Sequence, residues 1–196
     1  MKYRLSFFSV VLLWLFLAAP PPGADADPQF KAGEEWLDAW RIAQAEELAA
    51  QALQENPKSA PALDFDARVK FYQGRYAEAL TVLDRALAID STNQRRQALK
   101  LFAQLTVDVH KTLKRHESAH FVLFVDDKRD GILVAHALDT LEKTYQVIGA
   151  ELGYYPKEKV RVEIAPDATS FNAISTLSLR DIEETGAVGI CKFNKL

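Results

Sequence analysis

Between Pro28 and Asn93 the sequence matches itself at an offset of 34, and this constrains the fold more than any other feature. Gly33 falls on Ala67, Trp40 on Gly74, Ile42 on Tyr76, Ala45 on Ala79, Ala49 on Leu83, Ala52 on Ala86, Leu53 on Leu87, and Asn56-Pro57 on Asp90-Ser91. A period of this size marks stacked units, none of which can bury its own apolar face without a neighbour. Small and apolar residues recur at helical spacing as far as Arg115, with no two-residue alternation, so each unit is expected to be a helical hairpin. Small residues are needed where paired helices cross, at Gly33/Ala67, Ala45/Ala79 and Ala52/Ala86. Larger ones such as Tyr76, Leu80 and Leu83 fill the space between hairpins.

This pattern resembles the tetratricopeptide repeat (TPR), most closely over Gly74 to Asp90 (GRYAEALTVLDRALAID). Residues 27–93 then form two repeats. Asp66 and Lys70 stand where the family has large apolar residues, which leaves Phe65, Val69 and Phe71 to pack in a shifted register, and Gln29 stands where an aromatic is common. Residues 94–115 read as a capping helix with Leu99, Phe102, Leu105, Val109 and Leu113 on one stripe, a third layer for a solenoid that needs about three. The resemblance implies a concave groove, and the family's groove positions fall on Glu34, Leu37, Asp64, Arg68 and Phe71, contacts for a protein or peptide. The same residues could instead be solvated surface or a seat for the following domain.

The pattern changes at Ser118. Phe121 to Val125 (FVLFV) is apolar on both faces, as in a strand covered on both sides. Val134, Leu138, Leu141, Tyr145, Ile148 and Leu152 recur at steps of four and three before Gly153, which predicts one long amphipathic helix. Val160 to Ile164 alternates, so it is expected to be a strand with one face buried. Asp167 can cap a short helix carrying Phe171 and Ile174, and Ala187 to Phe193 turns strand-like again, with Cys191 among its buried residues.

With its phrases HFVLFVDDK, ELGYYPKEKVRVEIAPDATSF and GAVGICKFNK, the order strand, helix, strand, helix, strand resembles the opening sheet subdomain of peptidase-MA-like zinc metallopeptidases of the gluzincin type. It covers residues 118–196, and exported bacterial proteins of that kind often carry TPR hairpins in front. In the family the zinc motif HExxH follows later, on a helix after the edge hairpin. The resemblance therefore implies an incomplete α+β subdomain that stops short of the catalytic helices, with zinc expected for the complete domain and no cofactor in this chain.

His116, Glu117 and His120 do spell HExxH. That motif works when two imidazoles one helical turn apart share a zinc ion and the Glu activates its water. Here the motif straddles the end of the capping helix and the start of a strand. In extended chain, residues four apart lie about 13 Å apart and cannot hold one ion. Glu142 is the one helix-borne candidate for a third ligand. His110 and His136 are expected at the surface or rim, and the acid pairs Asp126-Asp127 and Glu183-Glu184 are expected to cap turns.

Lys2 and Arg4, an uncharged apolar run from Leu5 to Ala19, three prolines and Ala24-Asp25-Ala26 have the order of an export signal over residues 1–26. The run is shorter than the ~18 to 20 residues of a spanning helix. The expectation is cleavage after Ala26 and a periplasmic or extracellular location, with membrane attachment only if the signal is retained. No Cys stands directly after the run, so lipid attachment at a new N-terminal Cys is not expected. A single Cys excludes a disulfide framework and a thiolate metal centre. With 24 Lys+Arg against 27 Asp+Glu and no long run of like charge, nucleic acid is not an expected partner. The residues thus point to an exported protein- or peptide-binding chain. An active zinc peptidase built on the HESAH motif and a pure scaffold are the alternatives.

Overall fold

The computed structural model describes residues 27–175, 177–187 and 189–190. The expected export signal lies outside the described residues, as do Val188 and residues 191–193 of the expected last strand and the residues after it.

Five helices come first: α1 (Lys31–Asp38), α2 (Ile42–Glu55), α3 (Ala60–Tyr72), α4 (Tyr76–Ile89) and α5 (Gln94–His110). The offset of the sequence repeat is written into the backbone. α4 begins and ends one offset after α2, and Ser59 and Asn93, also one offset apart, each cap a helix by accepting from the backbone N–H three residues on. Trp40 and Gly74, equivalent in the same way, both turn the chain with positive φ, 59° and 74°. Two apolar clusters follow. Phe30, Leu37, Ala45, Ala49, Ala52, Ala62, Phe65 and Val69 lie among α1, α2 and α3, and Leu63, Ala67, Phe71, Tyr76, Ala79, Val82, Leu83, Ala86 and Ala103 among α3, α4 and α5. The small residues expected at the crossings are in these contacts. A Cβ on Gly33 would stand 2.3 Å from the ring of Phe65.

The second half is a sheet of order β1-β2-β3 made by β1 (Lys114–Glu117), β2 (Phe121–Val125) and β3 (Val160–Glu163). β1 runs antiparallel to β2, with Arg115 opposite Phe124, and β3 runs parallel to it, with Val122 opposite Arg161. A single-turn helix α6 (Asp127–Asp130) and the long α7 (Val134–Leu152) cross from β2 to β3, and α8 (Ala168–Ile174) and α9 (Leu179–Thr185) follow. Side-chain parity gives the sheet two faces. Phe121, Leu123 and Val125 are buried on the face toward α7. Arg115, Glu117, Val122, Phe124, Arg161 and Glu163 share the other, which meets the helical layer.

Four expectations change. α5 ends at His110, because Leu113 is drawn into the core and residues 114–117 pair with β2. The capping stripe runs through Leu99, Phe102, Ala103 and Thr106, leaving Leu105 exposed, since α8 packs on α5 and the Thr106 hydroxyl reaches the Ala173 carbonyl. Residues 179–185 form a helix, fixed by the reciprocal capping of Ser178 and Asp181. Ala187, Gly189 and Ile190 lie in no strand.

Candidate functional site

The concave positions come first. Leu37 and Phe71 are buried in the two apolar clusters, so neither side chain is presented to a partner. Glu34 and Arg68, equivalent positions of the two repeats, form an ion pair with both side chains largely covered. Burial pushes the Glu34 carboxyl above its ordinary value against the opposing pull of Arg68 and Arg95. Asp64 lies 3.6 Å from the buried Arg96 guanidinium, which also reaches the Asp90 carbonyl. Three of the five residues therefore form a charged seam, Glu34 and Arg68 joining the two repeats and Asp64 joining the second to α5, and two form core.

The HESAH residues sit on a strand and a turn. His116 and Glu117 belong to β1, and His120 precedes β2. His116 Nε2 is 2.6 Å from Asp127 Oδ1. Glu117 is held by Arg115 and by Lys159 at 2.7 Å. His120 stacks on Tyr145 with ring centroids 3.8 Å apart, and its Nδ1 lies 2.6 Å from Glu142 Oε2. Glu142 also accepts from the Ser118 hydroxyl and the His120 N–H. Partial burial works against its charge, but these bonds from His120 and Ser118 prevail and bring the carboxyl down to about 2. The three motif residues thus turn to three different partners. Among the described residues no group of three His, Cys, Asp or Glu is gathered as a metal would need.

A cluster that sequence reasoning missed joins the two halves. Glu163 was expected on the solvent side of an alternating strand, yet its side chain is 2% exposed. Its Oε1 receives the Tyr76 hydroxyl at 3.2 Å and Arg161 Nε at 2.6 Å. His110 Nε2 stands 3.1 Å from the same oxygen, close enough for an ion pair but too poorly aligned for a hydrogen bond. The Arg161 guanidinium lies over the Phe124 ring at 4.1 Å and the Tyr76 ring at 5.2 Å. Burial, with Glu163 adding to it, pushes the Tyr76 phenol far up, so it stays protonated as a donor. His110, expected at the rim, is thus half-buried against the sheet.

Beside this junction a cleft of about 720 Å³ opens between the layers, with Trp40, Ile42, Ala43, Glu46 and Tyr72 on the helical wall. The other wall is Tyr154 and the segment Pro156 to Lys159. That segment is positioned by the end of α7: Gly153 turns the chain with φ 62°, the Tyr155 ring lies on Gly149 where no Cβ would fit, and the Tyr145 hydroxyl donates to the Pro156 carbonyl. A smaller recess of about 170 Å³ shares Tyr72, Gln73 and Lys159 with the cleft and reaches Arg115, Phe124 and Arg161 on the sheet. Trp40 was legible as a repeat position, but nothing in the sequence set it opposite Lys159.

No family model, curated protein or solved structure matches the chain. Among the described residues no helix is long and apolar enough to cross a membrane.

Proposed function

We propose that the chain is an exported protein- or peptide-binding module, periplasmic or extracellular, whose helical half is a TPR-type repeat and whose sheet unit is the non-catalytic opening part of a peptidase-MA-like domain. The observation that carries this reading is the recurrence of backbone with sequence. α2 and α4, the caps Ser59 and Asn93, and the left-handed turns at Trp40 and Gly74 all recur at the offset of the sequence repeat. Hairpins stacked in this way build extended binding surfaces from units too small to be stable alone. The non-catalytic part of the reading is supported by His116, Glu117 and His120 lying on strand and turn with separate partners.

The test is to express the full reading frame in a bacterial host, sequence the N-terminus of the exported product, measure its zinc by elemental analysis and pan it against displayed peptides. The expected result is a start at Asp27, saturable peptide binding, no peptide hydrolysis and no stoichiometric zinc. Stoichiometric zinc that disappears in His120→Ala, together with peptide cleavage, would replace this reading with that of a zinc hydrolase.

A further inference from the structure

We infer that the exposed stripe of α5 docks a partner's amphipathic α-helix with small, uncharged residues on its contact face, set where a third hairpin would have its second helix. This rests on the protein-binding reading above and names the surface and the form of the partner. The concave positions have little left to offer, since Leu37 and Phe71 are core and Glu34, Asp64 and Arg68 are engaged with charges of the chain itself. α5 offers more. It begins one repeat offset after α3, yet the chain leaves it for β1, so no helix follows directly to close that hairpin.

Equivalent positions show what this stripe is built to meet. Gly33, Ala67 and Leu101 stand one offset apart, and so do Leu37, Phe71 and Leu105. On α1 and α3 the second helix of the hairpin helps to bury them: Leu37 shares a cluster with Ala45, Ala49 and Ala52 of α2, and Ala67 and Phe71 share the other with Ala79, Leu83 and Ala86 of α4. On α5, Leu101 is 62% exposed and Leu105 42%. The end unit of a solenoid turns a polar face to water, because nothing stacks on it. Two leucines one turn apart break that rule, at positions that the chain covers twice with a helix. The stripe thus continues the stacking interface inside the chain, and the same kind of element fits it.

Size and charge narrow the partner. The residue at the crossing grows from Gly33 to Ala67 to Leu101, so a helix on α5 must supply the small side chains itself. α2 is a helix of that kind, with alanine at each of its buried positions, Ala45, Ala49 and Ala52. Gln94, Gln97 and Ala98 are exposed on the face of the two leucines, at steps of three and four, and none is charged. Of the charged residues that border this face, Lys100 is paired with Asp84 and Asp108 with Lys111. A charged side chain on the partner's stripe would be desolvated there without a counter-charge, so that stripe is uncharged.

The experiment uses the exported chain and a fluorescein-labelled peptide with the sequence of residues 42–55, the α2 helix, followed by anisotropy. The peptide should bind saturably, gain helix by circular dichroism on binding, and stay bound as salt is raised. Leu101→Glu and Leu105→Glu, both exposed changes, should each weaken binding about tenfold or more, while Ile132→Glu, at an exposed apolar residue outside α5, should leave it unchanged. A peptide carrying Ala49→Phe should bind more weakly, since it brings bulk to the crossing. Circular dichroism of each variant alone checks that it is folded. Binding indifferent to both leucine changes overturns the inference. So does a homodimer in sedimentation that Leu101→Glu dissolves, because the stripe is then covered by a second copy. If displayed peptides bind and neither leucine matters to them, the protein-binding reading survives without this surface. If neither this peptide nor any displayed sequence binds, both fall.

Discussion

Trp40 and Gly74 stand one repeat apart and share a left-handed backbone, with φ of 59° and 74°. Only the glycine is at ease there. Trp40→Ala should lose the ring contact with Tyr72, whose centroid is 6.0 Å away, and keep the strain. Trp40→Gly should lose both. The glycine variant is therefore expected to be the more stable of the two by about 1 kcal/mol, measured by urea unfolding. Gly74→Ala should destabilise by about 1 to 2 kcal/mol from backbone strain alone. Its new Cβ would also lie 2.6 Å from the Arg161 guanidinium.

The helix crossings tolerate no added bulk. Ala79 and Ala86 are fully buried, so Ala79→Phe or Ala86→Phe should cost about 1 to 3 kcal/mol or more and lower the melting midpoint. Gly33→Ala should behave likewise, because the Phe65 ring it meets is stacked on Phe30 at 4.8 Å and cannot step aside. Unchanged midpoints in all three variants would mean that the helices cross elsewhere.

Acid should weaken the sheet unit through Glu142. Its carboxyl falls from an ordinary 4.5 to about 2 in the folded chain, so between those values the unfolded chain binds more protons. Stability from this group is complete above about pH 4.5 and is lost as pH falls toward 2. Glu142→Gln removes that dependence. Unfolding curves at successive pH values across this window should show the wild-type chain losing more stability than the variant, and parallel losses would refute the assignment.

Removing the Glu163 carboxylate leaves the Arg161 guanidinium at the junction without its counter-charge and the Tyr76 hydroxyl without its acceptor. Glu163→Ala is expected to cost about 3 to 5 kcal/mol. The double change Glu163→Leu with Arg161→Met, which removes both charges, should recover most of that loss. A double variant no more stable than the single one would show that the ring packing over Phe124 and Tyr76, not charge, holds the junction.

How much of this was legible depended on whether a feature is local. The bounds of β2 and α7 follow from runs of apolar residues and from Gly153, all read within one element, and the structure places them at Phe121–Val125 and Val134–Leu152. The repeat was legible because the period of the sequence is also the period of the backbone. β1 was not, since Lys114, Arg115, His116 and Glu117 are polar on both faces and become a strand only because β2 offers a hydrogen-bonding edge. The same holds for the junction. Arg161 and Glu163 alternate with valines like any solvent-facing pair, and only Tyr76 and His110, brought from far along the chain, turn that face into an interior. HESAH was legible as letters, and β1 explains why the letters do not form the motif's geometry.

The meeting of three side chains on Glu163 Oε1 has a mechanical side. Tyr76 opens α4 and His110 closes α5, so one oxygen on β3 gathers the ends of two helices into a clasp. α8 grips α5 again further along, where the Thr106 hydroxyl reaches the Ala173 carbonyl. The halves are therefore moored at two stations, and a swivel about either one would have to break the other.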